Sequence, residues 1–313
     1  MRIVISEFMD ESAVDRLRNE FGVGSVRYEP TLVDRPDELA VAVADCDALI
    51  VRNRTQVRAA LLDACKVARV IGRLGVGLDN IDVAACEARS MKVIPATGAN
   101  ALAVAEYVIA TAMLLRRASY LSTADVAAGK WPRNQLSAGR ETAGATLGLI
   151  GFGSIGQLTG QLARGLGMNL IAYDPALPDS HPAWAAMGAR RVELDALISS
   201  ADVVSLHVPL VDGTRNLFDA TRIGQMKPGA VLINTSRGGI VDEGALAEAM
   251  RSGHLGGAAM DVFTQEPMPQ SAIFAGCPNL VLTPHIAGVS AEANIRVSSM
   301  IADAVIGAMR MEK

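Results

Sequence analysis

Gly151-Phe-Gly153-Ser154-Ile155-Gly156 places three glycines in the spacing Gly-x-Gly-x-x-Gly, directly after the apolar run Thr146-Leu-Gly-Leu-Ile150. The pattern suits a buried strand turning into a helix. The first glycine permits the tight turn, the second lets backbone approach a pyrophosphate, and the third allows close helix–strand contact. The N–H groups that open such a helix lack intrahelical partners, and its positive dipole end favours phosphate. A glycine pattern alone is a weak signal. Here a second strand, Leu170-Ile-Ala-Tyr173, ends in Asp174, 18 residues after Gly156. A carboxylate there accepts hydrogen bonds from ribose hydroxyls and repels a 2′-phosphate, and Pro175 rather than an arginine follows it. The combination points to NAD as cofactor.

The chain has only four histidines. His181 and His254 stand in polar, loop-like surroundings and are expected to face solvent. His207 lies in the run Val203–Val208, just before Pro209. It could line a nucleotide crevice, although a satisfied core imidazole is the simpler reading. His285 differs, because it follows Leu280-Val-Leu-Thr-Pro284 at the carboxyl end of a strand, where open α/β sheets bind ligands. Arg237 occupies the same kind of position after Val231-Leu-Ile-Asn-Thr-Ser236, and Glu266 lies just past the strand that leads into Asp261-Val-Phe263. A second glycine turn, Gly72-Arg-Leu-Gly75-Val-Gly77-Leu-Asp-Asn80, has Asn80 in the third glycine place and no acidic strand end after it. It could instead offer the backbone N–H groups of Val76 and Gly77 to a carboxylate.

These residues must be carried by alternating strands and helices. The first hundred residues read as strands at Ile3–Ile5, Val26–Tyr28, Ala48–Val51 and Ala68–Ile71, with helices near Glu11–Phe21, Asp37–Ala44 and Ala59–Cys65. A long segment, Asn100–Ala118, is apolar on nearly every face and must be covered on all sides, either by domains or by a second subunit. Gly129-Lys-Trp-Pro132 reads as a loop. A second α/β unit runs from Thr146 to about Pro284, with strands at Thr146–Ile150, Asn169–Tyr173, Val203–Val208, Ala230–Asn234, Gly257–Val262 and Leu280–Thr283. The helical segment Ala291–Met309 is expected to pack back on the first unit. The expected fold is therefore α/β, with two Rossmann-like, doubly wound domains. A nucleotide-binding domain, 99–285, is inserted into a discontinuous, flavodoxin-like substrate domain, 1–98 with 286–313.

Composition narrows the partners. Half of the 313 residues are apolar and 20% are charged, enough for two buried cores. The formal charge of −4, without a basic block, argues against nucleic acid. Cys46, Cys65, Cys86 and Cys277 are scattered without a metal-ligand spacing, so they read as reduced thiols of a cytoplasmic protein, and no metal is expected. Leu102–Leu115, the longest apolar stretch, holds Glu106 and is too short to cross a bilayer; no signal peptide is read at the start.

Asn234-Thr-Ser-Arg237-Gly-Gly-Ile-Val-Asp-Glu243, Asp261-Val-Phe-Thr-Gln-Glu266-Pro and Pro284-His285-Ile-Ala-Gly288 resemble the D-isomer-specific 2-hydroxyacid dehydrogenases. Gly72-Arg-Leu-Gly-Val-Gly-Leu-Asp-Asn-Ile-Asp82 and Gly129-Lys-Trp131 are similar to the phosphoglycerate dehydrogenase branch. The resemblance runs through nearly the whole chain and implies hydride transfer between nicotinamide and a 2-hydroxy acid. It implies His285 as acid for carbonyl reduction and base for alcohol oxidation. Glu266 would orient the ring and support its positive charge. Arg237 would bind the substrate carboxylate and polarise the 2-oxo group with its planar donor fork. The cofactor set that goes with it is Gly151, Gly153, Ser154, Ile155, Gly156, Asp174, His207, Pro209, Thr214, Thr235, Ser236, Asp261, His285 and Gly288. It further implies a homodimer joined through the helix 100–118.

The substrate is less legible. Arg52 and Arg54 follow one first-domain strand, Arg73 the next, and Arg133 the Lys130-Trp131 loop. In such enzymes the first-domain loops meet the substrate, so these arginines, with Val76 and Gly77, could bind a second anion. (S)-3-Sulfolactate and 3-phosphoglycerate both carry one. The opening Ile-Ser-Glu-Phe-Met-Asp-Glu is similar to a sulfolactate dehydrogenase subgroup, and the end near residue 313 leaves out the regulatory extension of many serine-pathway enzymes. Sulfur also ranks the sulfomethyl arm above the carboxylate in naming, so the (S) label describes the spatial arrangement of D-lactate. Sulfolactate is the expectation, with 3-phosphoglycerate next. A glyoxylate/hydroxypyruvate reductase or a general D-2-hydroxyacid dehydrogenase is the alternative. A NAD-sensing corepressor is an alternative of another class; turnover with simple 2-oxo acids separates it from an enzyme.

Overall fold

The computed structural model describes residues 1–270 and 272–311. The chain divides into two compact units, 1–100 with 289–313 and 101–288, the last two residues lying outside the described residues.

In the first unit, five parallel strands, β1 (Ile3–Ile5), β2 (Val26–Tyr28), β3 (Ala48–Val51), β4 (Val70–Arg73) and β5 (Lys92–Pro95), form a sheet of order β2-β1-β3-β4-β5. That is the flavodoxin-like order. Alternation along the strands feeds two cores. Ile3 and Ile5 join Ala48 and Ile50 on one face, whereas Val4 joins Leu49 and Val51 on the other. Each such fully buried aliphatic side chain contributes about 1.5–3 kcal/mol. The helix Ala291–Arg310 closes the first face with Val297, Ile301, Ala302, Val305 and Met309.

The sequence places Gly72 in a turn, but it lies inside β4. A Cβ there would meet Ile301 at 2.9 Å and Val305 at 3.2 Å, so the missing side chain lets this helix sit directly on the strand. β5 has no counterpart in the sequence reading. It is an edge strand with an exposed Lys92 and a terminal proline, which leaves too little apolar pattern to read.

The second unit holds seven parallel strands: β6 (Thr146–Ile150), β7 (Asn169–Tyr173), β8 (Arg190–Arg191), β9 (Val203–Leu206), β10 (Val231–Asn234), β11 (Gly257–Met260) and β12 (Leu280–Leu282). Their order, β12-β11-β10-β9-β6-β7-β8, reverses direction at β6. The crevice beyond the carboxyl ends of β6 and β9 is thus a topological switch point, where such sheets take ligands. β6 and β9 run in register, Ile150 opposite Leu206, which puts Gly151 beside His207.

The long helix, Ala101–Arg117, covers one face of this sheet with Val104, Val108, Ala112 and Leu115. It is not apolar all round. Leu102, Glu106, Ala110, Met113 and Arg117 form an exposed stripe at helical spacing, mixing apolar and charged side chains. Among the described residues no helix is long and apolar enough to cross a membrane, and no group of acidic, histidine and cysteine side chains could hold a metal. All four cysteines are unpaired; burial pushes the Cys46 thiol up to about 12 and that of Cys65 to about 11.

Candidate active site

The glycine turn uses its three glycines in three ways. Gly151 has φ +92°, and a Cβ there would fall on the carbonyl of His207. A Cβ on Gly156 would strike the carbonyl of Gly151, so its absence draws the helix Ser154–Gly165 against the strand end. Around Gly153 the same test finds open space. Gly153 also caps the helix without a side-chain bond, leaving the N–H groups at Ser154 and Ile155 for an incoming acceptor. Asp174 follows β7, and its Oδ2 accepts the N–H of Phe152 at 2.8 Å while its Oδ1 accepts that of Ala176 at 2.9 Å. One carboxylate therefore braces the glycine turn and keeps acceptor capacity for a diol.

Neighbouring strand ends complete this surface. His207 follows β9 with Nε2 3.0 Å from the Ser205 hydroxyl, and desolvation pushes its imidazole down to about 4, so the ring is neutral at pH 7. Its carbonyl packs against Gly151. Pro209 and Thr214 shape the next turn, where the Thr214 hydroxyl donates to the Pro209 carbonyl at 2.6 Å and accepts from the Val211 N–H at 2.8 Å. After β10, Ser236 donates to the Leu206 carbonyl at 2.6 Å, and Thr235 Oγ1 is buried with no partner among the described residues. An open glycine cradle, uncapped helix N–H groups, a strand-end carboxylate and an orphaned hydroxyl fit a dinucleotide.

Arg237, Glu266 and His285 all belong to the second unit, on loops after β10, β11 and β12. Glu266 is held at one oxygen by the Phe263 N–H, 2.9 Å, and its other oxygen lies 2.7 Å from His285 Nδ1. A carboxylate only accepts, so Nδ1 carries the proton and Nε2 is left for chemistry. The Arg237 turn is fixed by Asn234, whose amide donates to the Arg237 carbonyl at 2.9 Å and whose Oδ1 accepts the Ser236 N–H at 3.0 Å. Gly238 ties this turn to the Glu266 loop. Any Cβ there would overlap the Phe263 carbonyl, so the two loops approach as only glycine allows. Glu243 adds a further tie, accepting the Thr264 N–H at 2.7 Å.

Asp261 is 1% exposed, and the segment after β12 is wrapped around it. It accepts the Thr283 hydroxyl at 2.6 Å, the Ile286 N–H at 2.8 Å and the Ala287 N–H at 2.8 Å. His285 has φ +55°, and its N–H donates to the Asp261 carbonyl at 2.8 Å. Gly288 ends this segment.

The first-unit candidates behave differently from one another. Arg52 reaches Asn294 Oδ1 at 2.8 Å and lies 5.7 Å from the centre of the Phe8 ring. Among the described residues its guanidinium makes no ion pair with a carboxylate, and desolvation lowers its pKa. Arg54 is exposed and paired with Asp34. Arg73 and Arg133 do not sit on loops as expected. Arg73 ends β4, with its guanidinium folded over Gly75, and Arg133 opens an exposed helical turn, Arg133–Leu136. Val76 and Gly77 lie half-buried in the turn after β4.

His181 and His254 face solvent only in part. Both are half-buried, His181 Nδ1 accepting the Ala183 N–H at 3.3 Å and His254 Nε2 lying 3.0 Å from the Ile223 carbonyl. Sequence reading missed Glu7 and Asn80, both buried beneath the Arg52 loop. Glu7 accepts the N–H groups of Arg52, Arg54 and Thr55 at 2.8, 3.0 and 3.0 Å; Asn80 donates to the Arg52 and Thr55 carbonyls at 3.1 and 2.7 Å. An acidic residue just after the first strand was the one available signal.

Residues 109–287 match the family described as "D-isomer specific 2-hydroxyacid dehydrogenase, NAD binding domain". The chain is 50% identical to (S)-sulfolactate dehydrogenase of Chromohalobacter salexigens over 97% of its own length and 96% of that protein's. It is 39% identical to hydroxypyruvate reductase of Thermotoga maritima, covering 95% and 94% of the two chains. Its fold is similar to the TT0316 protein of Thermus thermophilus, with a TM-score of 0.88 and 31% identity over 99% and 97% of the two chains. The glycine turn, the strand-end carboxylate and the loops after β10, β11 and β12 therefore belong to a member of the D-isomer-specific 2-hydroxyacid dehydrogenase family, an enzyme that uses NAD.

Proposed function

We propose that the enzyme interconverts (S)-3-sulfolactate and 3-sulfopyruvate. Bound NAD supplies the hydride acceptor or, when reduced, the donor. His285 Nε2 takes the hydroxyl proton during oxidation and returns it during reduction, while Glu266 holds the ring by Nδ1 and stabilises the charge it gains. Arg237 binds the substrate carboxylate and steadies developing charge on the 2-oxygen. Asp174 takes the adenosine ribose, and Gly151, Gly153 and Gly156, with the helix N–H groups at Ser154 and Ile155, take the pyrophosphate. His207, Pro209, Thr214, Thr235, Ser236, Asp261 and Gly288 line the rest of the cofactor. Residues 1–98 and 286–313 serve the substrate, and 99–285 the nucleotide.

One observation carries the choice of substrate. Arg52 is a desolvated cation whose guanidinium bonds an amide and lies by an aromatic face, with the Glu7 carboxylate acting on it through space and not as an ion-pair partner, so it is available to an anion from outside the chain. The half-identical sulfolactate dehydrogenase supports the same substrate. We assign the sulfonate to Arg52, with Arg73, Val76, Gly77 and Arg133 as further candidates. Arg54 is a poorer one, since Asp34 already neutralises it. A panel of sulfolactate, 3-phosphoglycerate, glycerate and D-lactate with NAD tests this. Sulfolactate should lead D-lactate by about ten- to a hundredfold in kcat/KM, the worth of one charge-assisted bond. A flat panel, or a lead for hydroxypyruvate in the reverse direction, would replace the proposal by the general reductase reading, which the Thermotoga relative favours.

We also infer a homodimer built on the exposed stripe of the long helix, where Leu102 and Met113 are 39% exposed, together with Tyr120 and Trp131. Light scattering at micromolar concentration should give twice the chain mass; a monomer mass removes this reading. The unpaired cysteines fit a cytoplasmic location, which recovery of the activity from another cell fraction would refute.

A further inference from the structure

Tyr107 projects from the long helix, and its phenol lies 2.6 Å from Thr283 Oγ1, which in turn lies 2.6 Å from Asp261 Oδ1. A carboxylate cannot donate, so the Thr283 hydroxyl must give its one proton to Asp261. It can then only accept from Tyr107, and the phenol must be the donor. Burial pushes the Tyr107 phenol up, so it keeps its proton throughout the neutral range. The line runs one way, from Tyr107 through Thr283 to Asp261.

Its far end is the backbone of His285. Of the three donors on Asp261, two are the N–H groups of Ile286 and Ala287, immediately after the histidine. The histidine sits in left-handed conformation, which a non-glycine residue holds only where its surroundings over-determine it. Glu266 fixes the ring by Nδ1, but a ring so tethered can still be misplaced if its main chain shifts. The Asp261 carboxylate holds the two N–H groups that follow His285, whose own N–H goes to the Asp261 and Thr283 carbonyls, and Thr283 is the carboxylate's only side-chain donor among the described residues.

We propose that Thr283 and Tyr107 are positioning residues, which hold the Asp261 carboxylate in the one orientation that seats the His285 main chain for proton transfer. The inference rests on the reading of His285 as acid and base.

The test uses four variants of the full chain, with kcat measured beside NADH affinity by nicotinamide fluorescence and with melting temperature. Thr283→Val should lower kcat about tenfold, the size expected for a bond to a charged group, while NADH affinity stays within about threefold. Thr283→Ser, which restores the donor, should return kcat to within about twofold of wild type. Tyr107→Phe alone should cost about threefold, and because the phenol acts through Thr283 it should cost nothing more in the Thr283→Val background. Equal rates for the Val and Ser variants, or losses that simply multiply in the double variant, would overturn the proposal. If Thr283→Val does not fold, Tyr107→Phe decides by itself: an unchanged kcat overturns the line, and a threefold loss at unchanged NADH affinity supports it. His285→Ala is the control for the underlying reading. Turnover that survives it sinks the histidine mechanism; an inactive His285→Ala beside a fully active Thr283→Val sinks only the positioning line.

Discussion

Glu7 follows β1 in one unit and Asp261 follows β11 in the other, and each is a buried carboxylate that accepts main-chain N–H groups from the loop after a neighbouring strand. The loop around Glu7 carries Arg52; the segment around Asp261 carries His285. The two anchors differ in what they hold. Glu7 accepts three N–H groups while Asn80 donates to two carbonyls of the same loop, so these two side chains grip the Arg52 loop through its backbone on both polarities, and Ser6 adds a hydroxyl bond to Thr55. Asp261 takes two N–H groups and one hydroxyl, and that hydroxyl is itself held by a helix. A loop that binds an anion needs a fixed cation at its end, whereas a proton carrier needs its ring placed to a fraction of an ångström. With His285 as the proposed proton carrier, the second task fits the additional layer behind Asp261.

Breaking the proton carrier should give the largest effect. His285→Ala should lower kcat by about 10²–10⁴-fold with a much smaller effect on NADH affinity, since the role proposed for the imidazole is with the proton. Steady-state rates beside equilibrium binding check this, and a near-wild-type kcat would end the contrast between the two loops. Glu266→Gln should lower kcat, measured in the same assay, because the ring loses the carboxylate that holds it at Nδ1.

The cation of the other loop comes next. Arg52→Ala should cost about ten- to a hundredfold in kcat/KM for sulfolactate and little for D-lactate, because only the first has a second anion to lose. Arg54→Ala, already neutralised by Asp34, should leave both substrates nearly unchanged. Equal losses on the two substrates with Arg52→Ala would return the enzyme to the general reductase class. Glu7→Gln sharpens the same point at smaller scale. The amide keeps one accepting oxygen and turns an NH2 donor toward a loop N–H that loses its acceptor, so KM for sulfolactate should rise about fivefold with kcat nearly constant.

Between these in mechanism stands Asp174, proposed above to take the adenosine ribose, whose side chain braces the glycine turn through the Phe152 N–H. Asp174→Ser should move the NAD-to-NADP preference by about tenfold, mostly through loss of NAD efficiency, since the turn loosens for both cofactors. An unmoved ratio of efficiencies would place cofactor selection elsewhere.

The same contrast explains what could be read from sequence. Strands such as Thr146–Ile150 and Ala48–Val51 announce themselves as apolar runs, and the glycine turn follows from three glycines and one aspartate at fixed spacing. His285 and Arg237 were singled out because they stand just past such runs, and Glu266 because its motif resembles the family's; the structure brings Glu266 and His285 together at 2.7 Å. The supports were not. Tyr107 looks like one more apolar residue of a helix, and Thr283 like the end of a strand; their meeting joins positions 176 residues apart. Asn80 looked like a failed glycine, yet it is the residue that holds the Arg52 loop from within. Arg52 and Arg54 have nearly the same local sequence, and it is residues distant in sequence that separate them: Asp34 pairs Arg54, whereas Asn294 and the Phe8 ring hold Arg52.

A third strand end sharpens the comparison by lacking charge. Where β1 and β11 lead into carboxylates, β9 leads into His207, whose ring is desolvated beside the Ser205 hydroxyl and pushed from its ordinary 6.5 down to about 4. A protonated ring there would be a desolvated cation, and that desolvation accounts for the neutral form. The unfolded chain protonates this histidine near pH 6.5 and the folded chain only near 4, so the unfolded state binds more protons throughout that window. The stability contributed by the neutral ring is complete above about pH 6.5 and is lost progressively toward pH 4, by up to about 3 kcal/mol. Carboxylates also titrate in this range, so the measurement is a difference. Melting temperatures of wild type and His207→Gln should converge as pH falls from about 7 to about 4.5, because the amide keeps a partner for Ser205 but has no proton to gain. Parallel curves for the two proteins would show that the ring is hydrated in solution and that β9 ends in an ordinary histidine.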